Sequence, residues 1–283
     1  MITIRWLVQA TVWLILYLLL LTAYQLVTNW LIACFQQRSP RITLMPTIGK
    51  NRAIAIVLLV ALIAGATIPL APAMTVGPWQ LDYHLWGHSS IALLAVLIVQ
   101  WLGETLLAFL DKHGPFSLAW QAVAAILIDA LPTLFIVFGL LLTSRQSSLQ
   151  LTAWIAAQGE GAGLRWMAWT QPLLSLLWLI CARPYKEAHT PNTWAHNALA
   201  FNRALLASAL FFGGWQGPFV NHWPWLGLLY TAIKAIVVGS IWTWVQVTLP
   251  RASLAAHSRM VGQVWVPLVI LNLIMTALLV VVS

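Results

Sequence analysis

The amino-acid sequence predicts an all-α bundle of transmembrane helices. Of its 283 residues, 61% are hydrophobic and 7% are charged, and the mean hydropathy is +0.86. A soluble domain of this length could not bury so much apolar surface. We therefore expect a polytopic membrane protein in which residues 1–283 form a single integral domain, with no soluble domain appended.

Eight apolar windows are long enough to cross a bilayer, and they predict about eight spans. The fifth and sixth windows are the shortest. The windows cover residues 6–24, 53–72, 89–110, 118–142, 166–182, 197–213, 224–247 and 263–282.

Basic residues predict the orientation of these spans. Lys and Arg concentrate in the loops that follow odd-numbered windows, and such loops face the cytoplasm. The loops after odd windows hold Arg38, Arg41, Lys50, Arg52, Lys112, Arg183, Lys186, Arg251 and Arg259. The opposite side holds Arg5, Arg145 and Arg165. Both termini are therefore expected outside, and the net charge of +8 reflects membrane placement, with no nucleic-acid partner expected.

The sequence offers no metal or redox centre. Its two cysteines, Cys34 and Cys181, are far apart and form no CxxC motif. Asp82, His84 and His88 could in principle hold a divalent ion, but a solvated loop is the expected interpretation. We expect the chain to bind no metal and to carry no redox group of its own.

Four ionisable residues fall inside the windows, namely Glu104, Asp129, Arg203 and Lys234. Each would cost about 2.5–3.5 kcal/mol if it faced lipid, so each needs a partner or a wet cavity. Oppositely charged residues at the same depth in the membrane can form a pair. Their distances from the span ends therefore predict two pairs, Asp129 with Lys234 and Glu104 with Arg203. His196 lies at the cytoplasmic end of the sixth window and could carry a proton. Structural ion pairs and a proton or charge relay both remain open interpretations.

A glycine-rich segment, Phe211–Pro218, predicts a tight, amphipathic re-entry at the membrane surface. Lys234, Leu249–Arg251, Pro267 and Asn272 follow it in order. This succession resembles the C-terminal end of the membrane H subunit (subunit 1) of respiratory complex I and of its relatives in membrane-bound hydrogenases. The motif residues are Gly213, Gly214, Trp215, Gly217 and Pro218.

The resemblance implies a function for the chain. In that family the subunit joins a soluble redox arm to a proton-pumping membrane arm, and its cytoplasmic loops form part of a quinone chamber. The implied partners are iron–sulfur and other soluble-arm subunits, antiporter-like membrane subunits and the lipid bilayer, in a bacterial cytoplasmic membrane. The docking or quinone-chamber candidates are Arg38, Arg41, Arg183, Lys186, Glu187 and Arg251.

The chain departs from the family where this chemistry lies. The loop between the fifth and sixth windows is short, and Glu187 is its only acidic residue. The Asp-Gln that follows Leu-Pro-Arg in the family is replaced here by Ala255–Ala256. Six acidic residues in all cannot supply the usual carboxylate relay. We expect an anchoring and arm-coupling subunit of an oxidoreductase complex with degenerate quinone and proton-relay residues. The relay candidates are Asp129, Lys234, Glu104, Arg203 and His196.

Two other classes of function compete with this interpretation. A stand-alone secondary transporter or ion channel would also carry buried charges and a broken helix, but the sequence shows no internal inverted repeat. A membrane enzyme with its own active site would need a catalytic signature, and neither HExxH nor GxSxG occurs.

Overall fold

The computed structural model describes residues 2–36, 52–76, 79–81, 91–110, 116–144, 149–159, 166–181, 194–248 and 253–282. These residues are predominantly helical, as the composition predicts. The helices, in chain order, are α1 (Ile2–Phe35), α2 (Arg52–Ala66), α3 (Ala92–Leu110), α4 (Phe116–Ser144), α5 (Leu151–Gly159), α6 (Met167–Thr170), α7 (Pro172–Cys181), α8 (Trp194–Phe211), α9 (Trp225–Thr248), α10 (Leu254–Met260) and α11 (Val266–Val282). A π-helical turn, Val261–Trp265, joins α10 to α11.

The predicted all-α membrane bundle is confirmed. Four described helical segments are long and apolar enough to cross a membrane, and two more are apolar but shorter. The long ones are Leu7–Phe35, Val123–Ser144, Trp225–Val245 and Ala255–Val281; the shorter ones are Ala55–Ala66 and Ala92–Leu107. The total of eight spans and the outward termini stay predictions.

A short antiparallel ribbon lies between α2 and α3. Its strands are β1 (Met74–Val76) and β2 (Trp79–Leu81), with Thr75 opposite Gln80. The ribbon follows Pro69 and Pro72, whose rings cannot continue the preceding helix. It changes nothing in the helical character of the bundle.

The fifth predicted span, 166–182, is not one continuous helix. The chain breaks at Gln171, where φ is −133° and ψ is 60°, and α7 then begins at Pro172. Proline suits the first position of a helix because its missing N–H would have no intrahelical partner there. A hydropathy window averages across such a break, since the flanking residues are equally apolar.

Helix α8 occupies the centre of the bundle. Almost every residue along it is buried, and it packs against α1, α2, α3, α5, α7 and α9. Small side chains allow this close approach of several helices. The buried alanines are Ala195, Ala198, Ala200, Ala204, Ala207 and Ala209.

Asn202 ties α8 to two neighbouring helices. Its Oδ1 accepts a hydrogen bond of 2.7 Å from the Tyr17 hydroxyl on α1, and its Nδ2 donates one of 2.7 Å to the Ala61 carbonyl on α2. A buried amide left unpaired would be costly, so each bond favours this one arrangement. Gly65 leaves room for both side chains.

A second polar clamp joins α4, α7 and α11. The Gln171 amide donates to the hydroxyls of Thr143, at 3.0 Å, and Thr276, at 2.9 Å. The broken segment before α7 therefore has a structural purpose, because it frees Gln171 to bridge two long helices.

The helix that ends the chain keeps one face inward through the π-helical turn. Its buried residues His257, Val261, Trp265 and Val269 are spaced four apart. The His257 ring meets the Trp265 ring edge to face, with centroids 5.5 Å apart.

Gly65 provides a test of this packing. A Cβ at Gly65 would lie 2.5 Å from the Tyr17 ring and 2.9 Å from Asn202 Oδ1, so we expect Gly65→Ala to destabilise the protein by about 1–3 kcal/mol. Gly262→Ala is the matched control, because nothing lies within 4 Å of its added Cβ. Thermal unfolding in detergent, followed by tryptophan fluorescence, measures both. Equal midpoints for the two variants would contradict the described packing.

Candidate functional site

The structure separates the five relay candidates into two groups along α8. Glu104 on α3, Asp129 on α4, and His196 and Arg203 on α8 lie toward the beginning of that helix. Lys234 on α9 lies at the other end, beside the turn that follows α8. We call the first group, together with Gln100 and His257, the charge cluster.

Glu104 and Arg203 form an ion pair, as their equal depth predicts. Arg203 Nη2 donates to Glu104 Oε2, and the other carboxylate oxygen accepts a 2.7 Å hydrogen bond from Gln100 Nε2. Gln100 also donates to the Leu199 carbonyl at 2.9 Å, so the amide is fixed against α8. Both oxygens of this partly buried carboxylate are thus satisfied, which a charge in a membrane protein requires.

Asp129 lies beside His257 and not beside Lys234. His257 Nε2 and Asp129 Oδ1 are 2.8 Å apart, and both side chains are largely buried. The charges of Arg203 and Glu104 also act on Asp129, and that of Arg203 acts on His196. The two pairs therefore form one electrostatically connected cluster that involves four helices.

The predicted pairing of Asp129 with Lys234 is wrong. Helix α4 packs mainly against α3, α7, α10 and α11, whereas α9 packs against α1, α7 and α8. Equal depth places two residues at one height in the membrane but says nothing of their direction around the bundle. Lys234 instead donates to three backbone carbonyls after α8.

The glycine-rich segment forms a tight turn at the end of α8. Gly213 and Gly214 have φ of 67° and 46°, a left-handed conformation that residues with a Cβ rarely adopt. A Cβ on Gly217 would lie 2.5 Å from the Tyr230 ring, so this position too must stay small. Trp215 is buried and Pro218 is exposed, as expected of an amphipathic turn.

A small cavity borders the charge cluster between α7, α8 and α9. The volume of this cavity is about 10 Å³, which is enough for a single water molecule. The Arg203 side chain contributes polar atoms to an otherwise apolar wall. The lining residues are Trp178, Leu179, Arg203, Ala204, Val238 and Trp242. The Arg203 guanidinium also lies 5.9 Å from the centre of the Trp242 ring.

The predicted docking residues lie outside the described part of the chain. These are Arg38, Arg41, Arg183, Lys186, Glu187 and Arg251. Among the described residues, no group of three or more His, Cys, Asp or Glu side chains could hold a metal ion.

Sequence reasoning missed three polar side chains that organise these sites. Gln100 could have been found, since it precedes Glu104 by four residues and so shares its helix face. His257 and Gln158 gave no such local signal. Their partners come from distant parts of the chain, Asp129 and the end of α8.

Double substitutions test the ion pair. We expect Glu104→Gln and Arg203→Gln to be non-additive, with a coupling of about 0.5–3 kcal/mol, because each leaves the other group without its partner. Glu104→Gln with Lys234→Gln is the control, and it should be additive within about 0.5 kcal/mol. Unfolding in detergent measures both cycles, and additivity in the first would show that the pair contributes nothing.

Comparison with known proteins agrees with the resemblance seen in the sequence. The NADH dehydrogenase family profile matches residues 192–277. An H subunit of NADH-quinone oxidoreductase from Rhodopseudomonas palustris (strain HaA2) is 38% identical over 79 residues, which cover 27% of this chain and 22% of that protein.

Longer matches cover most of the chain. The H subunit of the same enzyme from Bordetella avium is 25% identical over 279 residues, covering 85% of this chain and 70% of that protein. The H subunit from Paramagnetospirillum magneticum is 25% identical over 266 residues, covering 83% of this chain and 74% of that protein. The more similar Rhodopseudomonas matches span less than a quarter of the relatives' length. The chain is thus similar to the H subunits of NADH-quinone oxidoreductase, most closely within residues 192–277 and at about a quarter identity over most of its length.

Proposed function

We propose that this chain is the membrane-anchoring and arm-coupling subunit of a complex I-like oxidoreductase complex. The observation that carries the proposal is the family match over residues 192–277, which contain α8, α9 and most of the last helix. Three members of the charge cluster, His196, Arg203 and His257, lie within that segment. No observation favours the alternative of a stand-alone transporter.

The charge cluster is the proposed site of coupling in this subunit. Of the six acidic residues in the chain, two lie in described helices, and both belong to the cluster. An ion pair and a carboxylate–imidazole pair could pass charge over a short distance only. We therefore propose a reduced relay in which His257 and Asp129 share the mobile proton, because His257 Nε2 and Asp129 Oδ1 are 2.8 Å apart.

The partners and cofactor follow from the same proposal. Iron–sulfur and other soluble-arm subunits would bind the cytoplasmic loops, and antiporter-like subunits would pack against exposed helix faces in a bacterial cytoplasmic membrane. Quinone would bind at the interface with the soluble arm and not to this chain alone. The basic docking candidates support a cytoplasmic position for these loops, since Lys and Arg are enriched in cytoplasmic loops.

A pull-down in mild detergent, with mass spectrometry of the partners, tests the anchoring role. We expect iron–sulfur and antiporter-like subunits to copurify with the chain. Replacing Arg183, Lys186 and Glu187 by Ala should lower recovery of the iron–sulfur subunits about tenfold, since each lost surface charge contact contributes about 0.5–1 kcal/mol. The antiporter-like subunits should remain.

Alanine at Arg145 and Arg165 provides the control for this experiment, because these residues are predicted on the opposite side of the membrane. Their replacement should leave recovery of all partners unchanged. A wild-type chain that purifies alone would contradict the proposed function itself.

The relay is tested by His257→Gln, which keeps a hydrogen-bonding side chain but cannot take up a proton near neutral pH. In the purified complex, reconstituted in liposomes, we expect proton translocation per electron to fall by about tenfold or more. Electron transfer should persist. The neighbouring Ser258→Ala, which removes only a bond to the Ala255 carbonyl, is the control. Equal translocation by both variants would remove His257 from the relay.

A further inference from the structure

We infer that the turn after α8 is a backbone cation site, which Lys234 fills from within the chain and which would bind a free primary ammonium ion if that side chain were shortened. The site consists of the carbonyl groups of Phe212, Gly214 and Gln216, and we call it the carbonyl cage. It is a property of the folded chain and does not depend on the partner proteins proposed above.

The number of contacts at the cage matches a primary ammonium group. Lys234 Nζ donates to Phe212 O at 2.7 Å, to Gly214 O at 2.8 Å and to Gln216 O at 2.6 Å. An ammonium has three N–H donors and no acceptor, so all its hydrogen-bonding capacity is used. The ring of Trp166 lies 4.9 Å from Nζ and adds a cation–π contact.

The turn is held in place by bonds that do not involve Lys234. The Gly214 N–H donates to the Ser208 carbonyl at 2.8 Å, and the Gln216 N–H donates to the Gly213 carbonyl at 2.7 Å. The left-handed conformation of Gly213 and Gly214 directs alternate carbonyls to one side. A Cβ on Gly214 would lie 2.8 Å from Ile155 Cδ1, so a larger residue is also excluded by space.

Helix α5 completes the support from the other side. Gln158 Nε2 donates to the carbonyls of Ala209, at 3.0 Å, and Leu210, at 3.1 Å, while its Oε1 accepts the Met167 N–H at 3.2 Å. The last carbonyls of α8 are therefore taken by Gln158, and the carbonyls beyond them remain for a cation. The negative end of the helix dipole favours positive charge at this point.

Shape decides which cation the site accepts. The planar guanidinium of Arg presents its donors in a fixed fork and would not match three converging carbonyls. An apolar side chain of similar length would leave the three carbonyls without donors in a bundle that excludes water. The expected ligand class is thus a small primary ammonium.

Rescue of Lys234→Ala by n-propylammonium tests the inference, since this ion replaces the atoms that the substitution removes. The full chain, purified in detergent, should unfold at a lower temperature as Lys234→Ala. Added n-propylammonium should raise the midpoint in a saturable manner. Tetramethylammonium, which has no N–H donor, and n-propanol, which has no charge, should not.

Lys234→Met is the second variant, because it keeps the apolar stem and leaves no room for the added ion. It should be destabilised and should show no rescue. If Lys234→Ala cannot be recovered from membranes, the yield of folded chain extracted with and without n-propylammonium provides the same comparison. Equal stability of Lys234→Met and wild type, or equal effects of n-propanol and n-propylammonium on Lys234→Ala, would overturn the inference.

Discussion

The end of α8 lies inside the bundle, and its carbonyl groups need donors where water is excluded. This requirement governs the surrounding structure, because unsatisfied backbone groups cost several kcal/mol each in an apolar medium. The glycine turn, Gln158 and Lys234 meet it together. By fixing the end of α8, they also fix the height at which Asn202 and Arg203 lie in the bundle.

The two polar regions along α8 have different characters. At 1.5 Å per residue, Arg203 and Phe211 are separated by about 12 Å along the helix axis. The charge cluster contains groups of both signs, two of them connected by a single short contact between a carboxylate and an imidazole. The carbonyl cage holds one cation among neutral acceptors. Of the two sites, the charge cluster offers alternative positions for a proton, on the carboxylate and on the imidazole.

Local sequence signals predicted those features that depend on local physics. The glycine turn needs residues that tolerate positive φ, and Gly213 and Gly214 show this directly. The apolar windows of α1, α4 and α9 reflect the length of a bilayer. The pair Glu104–Arg203 was predicted from its opposite charges at equal depth in the membrane, and the structure contains it.

Features that depend on direction around the bundle could not be predicted in this way. Depth gave Asp129 and Lys234 the same height, but neighbouring helices supplied each with another partner. The nine-residue helix α5 is shorter than any membrane span, so hydropathy could not reveal Gln158. Gln171 illustrates a further limit, since a break within a uniformly apolar stretch has no hydropathy signal.

The π-helical turn Val261–Trp265 has a consequence for how the last helix meets its surroundings. In a regular α-helix, twelve residues turn a face by about 120° away from its starting direction, so His257 and Val269 could not both point inward. The wider turn slows this rotation and keeps them aligned. The π-helical turn therefore determines which face of α11 points away from the bundle, and Leu271, Met275 and Leu278 are exposed on that face.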